Sequence, residues 1–102
     1  MGKAMSAAVI LSETATNALL EIPTRSGAKA VAQRLQALQT FPEMGTHYDP
    51  EYPATHPDHE VLVTYVSHYG IYYIFDRELR GGTVYIEWIQ DERRNPMRRF
   101  TG

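Results

Sequence analysis

Residues 60–94 read EVLVTYVSHYGIYYIFDRELRGGTVYIEWIQDERR, and this stretch decides the fold. It contains three runs dominated by Val, Ile, Tyr, Phe and Trp, the residue types that favour strands, at 60–66, 69–76 and 83–90. Short polar segments separate the runs, and the second of them contains a Gly-Gly pair that supplies the positive φ angles of a hairpin loop. The pattern predicts three consecutive antiparallel strands. The last strand is expected to complete the core with Val84, Ile86 and Trp88.

Upstream of this stretch, the apolar residues follow helical spacing. Residues 7–11 are a short apolar run that predicts a buried strand, and Ser12 offers a cap for a helix that ends before Pro23. A second helix is predicted between the N-cap Ser26 and Pro42. Its apolar face consists of Ala28, Val31, Ala32, Leu35 and Leu38, and its polar side includes Lys29, Gln33 and Arg34.

The order strand, helix, helix and three strands predicts a two-layer α+β domain. In this β-α-α-β-β-β arrangement the N-terminal strand and two helices pack on an antiparallel sheet. The chain has 102 residues, enough for one domain, which we expect to span 7–96 between a flexible leader (1–6) and a C-terminal tail (97–102). Cysteine is absent, which excludes thiolate metal sites and is typical of a reducing cytoplasm. No apolar stretch approaches the roughly 20 residues of a membrane helix, so we expect no membrane partner.

Charge is distributed unevenly along the chain. The formal net charge is −2, which disfavours general nucleic-acid coating. Four arginines and no acid lie between Arg93 and Arg99, whereas residues 43–60 contain five acids and no Lys or Arg. The arginines are candidates for contact with a phosphate or carboxylate partner, because a guanidinium group binds both bidentately.

Residues 46–59 are rich in Pro, His and Asp, and they predict a loop without regular structure. His56 and His59, with Asp58 and Glu60 nearby, superficially resemble a metal-ligand cluster, but no helix sets their spacing. A solvated loop is the simpler interpretation. The acids and the apolar residues of this region also suit a surface for a partner protein.

Three motifs resemble the RelE/ParE superfamily of toxins from bacterial type II toxin–antitoxin systems. They are LQTFPEMG at 38–45, YGIYY at 69–73 and DERRNP at 91–96. The resemblance extends over roughly residues 7–96. The chain departs from the family pattern at three positions, with Gly70 in place of a strand arginine, Asp91 in place of a histidine and Asn95 in place of an aspartate.

The resemblance implies a cytoplasmic toxin that is neutralised by a cognate antitoxin protein and arrests growth when free. The target would be DNA gyrase, as in the ParE branch, or messenger RNA at the ribosome, cut by a metal-independent endoribonuclease without a cofactor. A degenerate member that only binds an antitoxin is a further alternative, and a homodimer stays open. The candidate catalytic residues are Arg93 and Arg94 as cations, His68 as acid or base, and Tyr73 as a base-stacking or hydrogen-bonding group.

Overall fold

The computed structural model describes residues 7–48 and 60–94. They form an α+β fold in which two helices pack on a five-stranded mixed sheet. The elements in chain order are β1 (Ala8–Leu11), α1 (Glu13–Leu20), α2 (Arg25–Thr40), β2 (Thr46–Tyr48), β3 (Val61–Val66), β4 (Tyr69–Asp76) and β5 (Thr83–Asp91). The sheet order is β1-β5-β4-β3-β2; β1 is parallel to β5, and every other neighbouring pair is antiparallel.

The prediction of three consecutive antiparallel strands is confirmed, with ends within one residue of the sequence-based limits. Ser67 has a φ of 57° and reverses the chain between β3 and β4. Gly81 and Gly82, with φ angles of 78° and 126°, occupy the β4–β5 loop as the Gly-Gly pair indicates.

The loop predicted for residues 46–59 is wrong at its start, because Thr46–Tyr48 forms the edge strand β2 and pairs with Val61–Val63 of β3. Three residues are too few to show strand periodicity in a sequence. The Tyr48 ring lies edge-on to Tyr72, with 5.0 Å between ring centroids, and this contact helps to hold β2 on the sheet. The element order is therefore β-α-α-β-β-β-β. Residues 49–59, which include His56 and His59, lie outside the described residues.

The N-terminal strand is also more exposed than its apolar sequence predicts. β1 pairs only with β5 among the described strands, and its side chains alternate between exposed and half-buried, with Ile10 43% exposed. An apolar run predicts burial on both faces only when the strand is central, and β1 is at the edge.

Helix caps explain where both helices begin. The Ser12 hydroxyl accepts a hydrogen bond from the Ala15 amide (3.0 Å), which confirms Ser12 as the α1 cap. For α2 the predicted cap Ser26 is wrong: Thr24 has extended backbone, and its Oγ1 accepts from the Gly27 amide at 3.0 Å. Ser26 lies inside the first turn of α2.

A β-bulge in β5 moves Trp88 away from the face that the sequence predicts. Tyr72 is opposite Trp88 and Tyr73 is opposite Ile86, so Glu87 is an extra residue. The bulge changes which face the later side chains occupy. Ile89 therefore joins Ile86 in the core against the helices, and the prediction for Trp88 is wrong.

Both faces of the sheet carry apolar clusters. The face toward the helices contains the main core, whose buried members include Val31, Leu35, Leu38, Ile71, Tyr73, Val84, Ile86 and Ile89. The opposite face carries a smaller cluster of Val61, Val63 and Tyr72, with Tyr48, Ile74 and Trp88 packed against it. The rings of Tyr72 and Trp88 stack at 4.7 Å. The sheet is therefore the central layer between two apolar clusters.

Candidate functional site

One corner of the sheet brings together two of the predicted site residues. Tyr69 is paired with Asp91 where β4 begins and β5 ends, and the Glu92 amide donates to the His68 carbonyl at 2.8 Å. These contacts place the β3–β4 turn, with His68, beside the segment that carries Arg93. We call His68, Asp91, Glu92 and Arg93 the arginine corner.

Asp91 is at the centre of the arginine corner. Its Oδ2 lies 3.8 Å from His68 Nε2, and its Oδ1 accepts from the Arg93 amide at 3.1 Å and lies 3.7 Å from Arg93 Nε. The Asp91 side chain is 15% exposed, whereas that of Arg93 is 68% exposed. An ion pair this open to water contributes little energy, so the guanidinium group can exchange Asp91 for a ligand at low cost.

Arg93 and Arg94 do not continue β5. The strand ends at Asp91, and Glu92–Arg94 forms a 3-10 turn. The backbone that carries the two arginines is therefore not that of a strand.

The His68 ring packs against its neighbours, with 28% of the side chain exposed. Its ring lies 4.3 Å from that of Tyr69, and Nδ1 is 3.3 Å from Ser67 Oγ. Nε2 is buried and makes no hydrogen bond to another described residue. A catalytic acid or base must come within hydrogen-bond distance of the reacting atom, and the buried Nε2 does not offer that access.

Tyr73 lies in the main core, fully buried, and not in the arginine corner. Its hydroxyl accepts a hydrogen bond from the Gly45 amide at 2.9 Å. Burial raises the pKa of Tyr73, while the Gly45 N–H opposes that rise. Tyr73 therefore ties the turn after α2 to the sheet, and we give it no further part in the site.

At Gly70 a side chain would meet the Glu92 carboxylate. A Cβ there would clash with Glu92 Oε2 and would lie 3.0 Å from Tyr72 Cε1. The same Glu92 oxygen accepts the Tyr72 hydroxyl at 2.6 Å. Burial, followed by this carboxylate, raises the pKa of Tyr72. A carboxylate therefore fills the space above Gly70.

Arg34 is a further cation that contacts the sheet, and the helical pattern did not indicate this contact. Its NH1 donates to Thr64 Oγ1 at 2.5 Å and to the Tyr65 carbonyl at 3.0 Å. Helical spacing assigns Arg34 to the polar side of α2, but its long side chain reaches across to β3. Only the packing of α2 on the sheet reveals this contact.

A shallow groove of about 390 Å³ lies between β1 and α2. It is lined by Val9, Ala32 and Leu35 and by the polar side chains of Lys29, Gln33, Gln36 and Gln39. Apolar and amide groups in such a groove suit the side of an amphipathic helix.

No protein-family model matches this chain, and a search of curated proteins gives no match. The described residues contain no group of three His, Asp or Glu side chains that could hold a metal ion. None of the helices in the described part of the chain is long and apolar enough to cross a membrane.

Proposed function

We propose that this chain is a RelE/ParE-like toxin of a type II toxin–antitoxin system that arrests growth by inhibiting DNA gyrase and is neutralised by a cognate antitoxin. The three sequence motifs suggest the family. The observation that carries the choice of target is the arginine corner, where the exposed Arg93 stands beside Asp91 and Glu92. Such a corner suits recognition of a protein surface.

The charge of the corner supports a protein target over messenger RNA. Cleavage through a 2′-OH needs a proton acceptor at the site and cations around the phosphate. Here the carboxylates of Asp91 and Glu92 accompany Arg93, the second of them filling the space above Gly70, and His68 Nε2 is buried. A protein partner can tolerate this mixture of charges, because complementary pairs then form across the interface.

The groove between β1 and α2 is the surface that we assign to the antitoxin. β1 has no strand on its outer edge among the described residues, and its Val9 lines the groove together with Ala32 and Leu35 of α2. An amphipathic antitoxin segment would cover apolar surface of this kind.

Induced expression tests the proposal, with and without co-expression of any small reading frame that is found next to the gene. We expect growth arrest that the neighbouring product relieves, intact messenger RNA ends, and loss of supercoiling by purified gyrase when the purified chain is added. New messenger RNA ends at arrest would instead identify the ribosome-dependent endoribonuclease. Absence of arrest with retained antitoxin binding would identify a degenerate member.

Substitution of the arginines tests the corner itself. We expect Arg93→Ala combined with Arg94→Ala to relieve the arrest while leaving the thermal unfolding midpoint within a few degrees, because Arg93 is mostly exposed. The matched control combines Arg25→Ala with Arg80→Asn, which removes the same charge from two other exposed positions. If both double variants keep full toxicity, the corner is not the target site.

A further inference from the structure

β1 is an edge strand without the usual protection of an edge. It pairs only with β5 among the described strands, and residues 7–12 read AAVILS, with no charged residue and no proline. Natural edge strands usually carry charges, prolines or bulges that prevent pairing with another chain. Val9 and Leu11 pack against the main core, so Ile10 lies on the other face of the sheet, where it is 43% exposed. β1 therefore presents an apolar edge at which a further strand can pair.

The backbone groups of Val9 and Leu11 point away from β5. The Ala8 amide donates to the Gly82 carbonyl at 3.1 Å, and the Ser12 amide donates to a carbonyl of β5 at 3.0 Å. The even-numbered residues of β1 are thus the ones that bond to β5. Because backbone groups alternate in direction along a strand, those of Val9 and Leu11 are directed outward, where no strand lies among the described residues.

The groove between β1 and α2 lies beside this edge, and its polar lining is self-complementary. The amide side chains of Gln33, Gln36 and Gln39 line it, and Lys29 is the one charged residue among the described lining residues. A glutamine amide both donates and accepts hydrogen bonds, so one row of glutamines can pair with an identical row. Because a lining with a single charge offers little to an acidic or a basic partner, it favours a second copy of the chain.

We propose that two copies of this chain pair through β1, antiparallel about a two-fold axis beside Ile10. In this register Val9 of one copy is opposite Leu11 of the other. These are the residues whose backbone groups point outward, so each such pair exchanges two hydrogen bonds. The two Ile10 side chains meet at the axis, in the type of pair that brings opposite side chains closest. A two-fold interface uses the same patch on both copies, and an uncharged apolar strand suits that requirement.

The same axis places the helices of both copies on one face of a continuous sheet. Residues directly opposite one another in an antiparallel pair share a face, so α2 of one copy lies beside α2 of the other. The axis also makes these two helices antiparallel. Lys29 of each copy is then directed toward the Gln39 end of the other helix, and the two lysines lie apart.

This inference does not depend on the toxin proposal, because the purified chain alone is enough to test it. The surface is the one that we assign to the antitoxin, so an antitoxin would have to displace the second copy. A chain that pairs through β1 without arresting growth would contradict the toxin proposal and leave the dimer standing.

Sedimentation equilibrium of the full-length chain at increasing concentration is the first measurement. We expect a monomer–dimer equilibrium, with amide hydrogen exchange at Val9 and Leu11 slowing as the dimer forms. A chain that stays monomeric up to its solubility limit would overturn the proposal. So would a dimer in which exchange of these two amides is unchanged.

A charge swap at Ile10 tests the position of the axis. Ile10→Lys should raise the dimer dissociation constant by at least about tenfold, because two lysines would face one another, and Ile10→Glu should do the same. An equimolar mixture of the two variants should recover the dimer, because each Lys would then be opposite a Glu. Recovery also shows that both variants are folded.

Met44→Lys is the matched control for the charge swap. Met44 is 41% exposed and precedes β2 at the other edge of the described sheet, so the substitution should leave the dimer dissociation constant unchanged. Equal weakening by Met44→Lys, or no recovery in the mixture, would overturn the proposal. A dimer that forms only after residues 1–6 are deleted would identify those residues as the occupant of the β1 edge, and it would likewise overturn the proposal.

Discussion

At the scale of single residues, Gly70 determines where the Glu92 carboxylate of the arginine corner lies. Its missing side chain leaves space for the Glu92 carboxylate, which in turn accepts the hydroxyl of the buried Tyr72. A carboxylate at the edge of an apolar cluster is stabilised by such a bond, and a buried hydroxyl needs an acceptor. Gly70 thus provides space for the Glu92 carboxylate, and its backbone has no unusual angle.

Gly70→Ala should lower the free energy of unfolding by about 1 to 3 kcal/mol. The added methyl group would force Glu92 away, and the Tyr72 hydroxyl would lose its acceptor. Urea denaturation of the parent and the variant measures the cost. The control is the same substitution in a Glu92→Ala background, where the cost of Gly70→Ala should fall by about 1 kcal/mol because the clashing oxygen is gone. Equal costs in the two backgrounds would show that Glu92 is not the obstacle.

At the scale of elements, the bulge at Glu87 allows apolar residues on both sides of it in β5 to face the main core. The residues before it place Val84 and Ile86 in the core, and the extra residue lets Ile89 return to the same face. The bulge is also anchored from outside the strand, because the Ser12 hydroxyl donates to the Glu87 carbonyl at 2.7 Å. The cap of α1 and the bulge of β5 therefore share one side chain.

Deletion of Glu87 should leave the chain folded, with a loss of about 1 to 3 kcal/mol. Removing the extra residue restores regular alternation with Ile86 and Ile89 still facing the helices, and the main loss is the anchoring bond from Ser12. Thermal unfolding followed by Trp88 fluorescence measures the effect.

Deletion of Tyr85 is the matched control. It removes a residue from a regular part of β5, so Val84 would turn out of the core, and we expect a loss of at least about 3 kcal/mol. The bulge assignment fails if the two deletions cost the same.

At the scale of the whole molecule, the sheet is stabilised from both sides, and each cluster contains a buried tyrosine whose hydroxyl is hydrogen-bonded. Tyr73 belongs to the core against the helices, and Tyr72 belongs to the cluster on the opposite face. Burial is the first cause that raises the pKa of each above the ordinary value of 10.0. Ionising either tyrosine is therefore costly in the folded state.

Stability should fall in alkali from about pH 10 upward. In that range the unfolded chain loses protons that folded Tyr72 and Tyr73 retain, so the unfolded state binds fewer protons and rising pH favours it. Below pH 10 the stabilising contribution of both tyrosines is complete. Above pH 10 the free energy of unfolding decreases by up to about 1.4 kcal/mol per pH unit for each tyrosine. Urea midpoints between pH 9 and 11 measure the slope. Tyr72→Phe and Tyr73→Phe should each reduce the slope of the urea midpoint against pH. If the double variant keeps the slope of the parent, the two tyrosines are not the cause of the loss of stability in alkali.

The helices and strands of the chain were predictable because each is indicated by a pattern of a few consecutive residues. Alternation of apolar residues identified β3, β4 and β5, helical spacing identified α1 and α2, and the Gly-Gly pair located the hairpin loop. The candidate site was predictable only in part. The charge pattern singled out Arg93, but nothing in the sequence indicates that Asp91 lies beside both it and His68, or that Arg34 reaches β3.

The sequence by itself thus determined which segments are strands and helices, because each periodicity is a property of a few consecutive residues. The tertiary structure alone decided the face of Trp88, the pairing of Thr46–Tyr48, the burial of Tyr73 and the filling of the space above Gly70. Each of these depends on a partner distant in sequence. A bulge of one residue changes the face of every side chain that follows, and a buried hydroxyl takes its role from the group that packing places within hydrogen-bond distance.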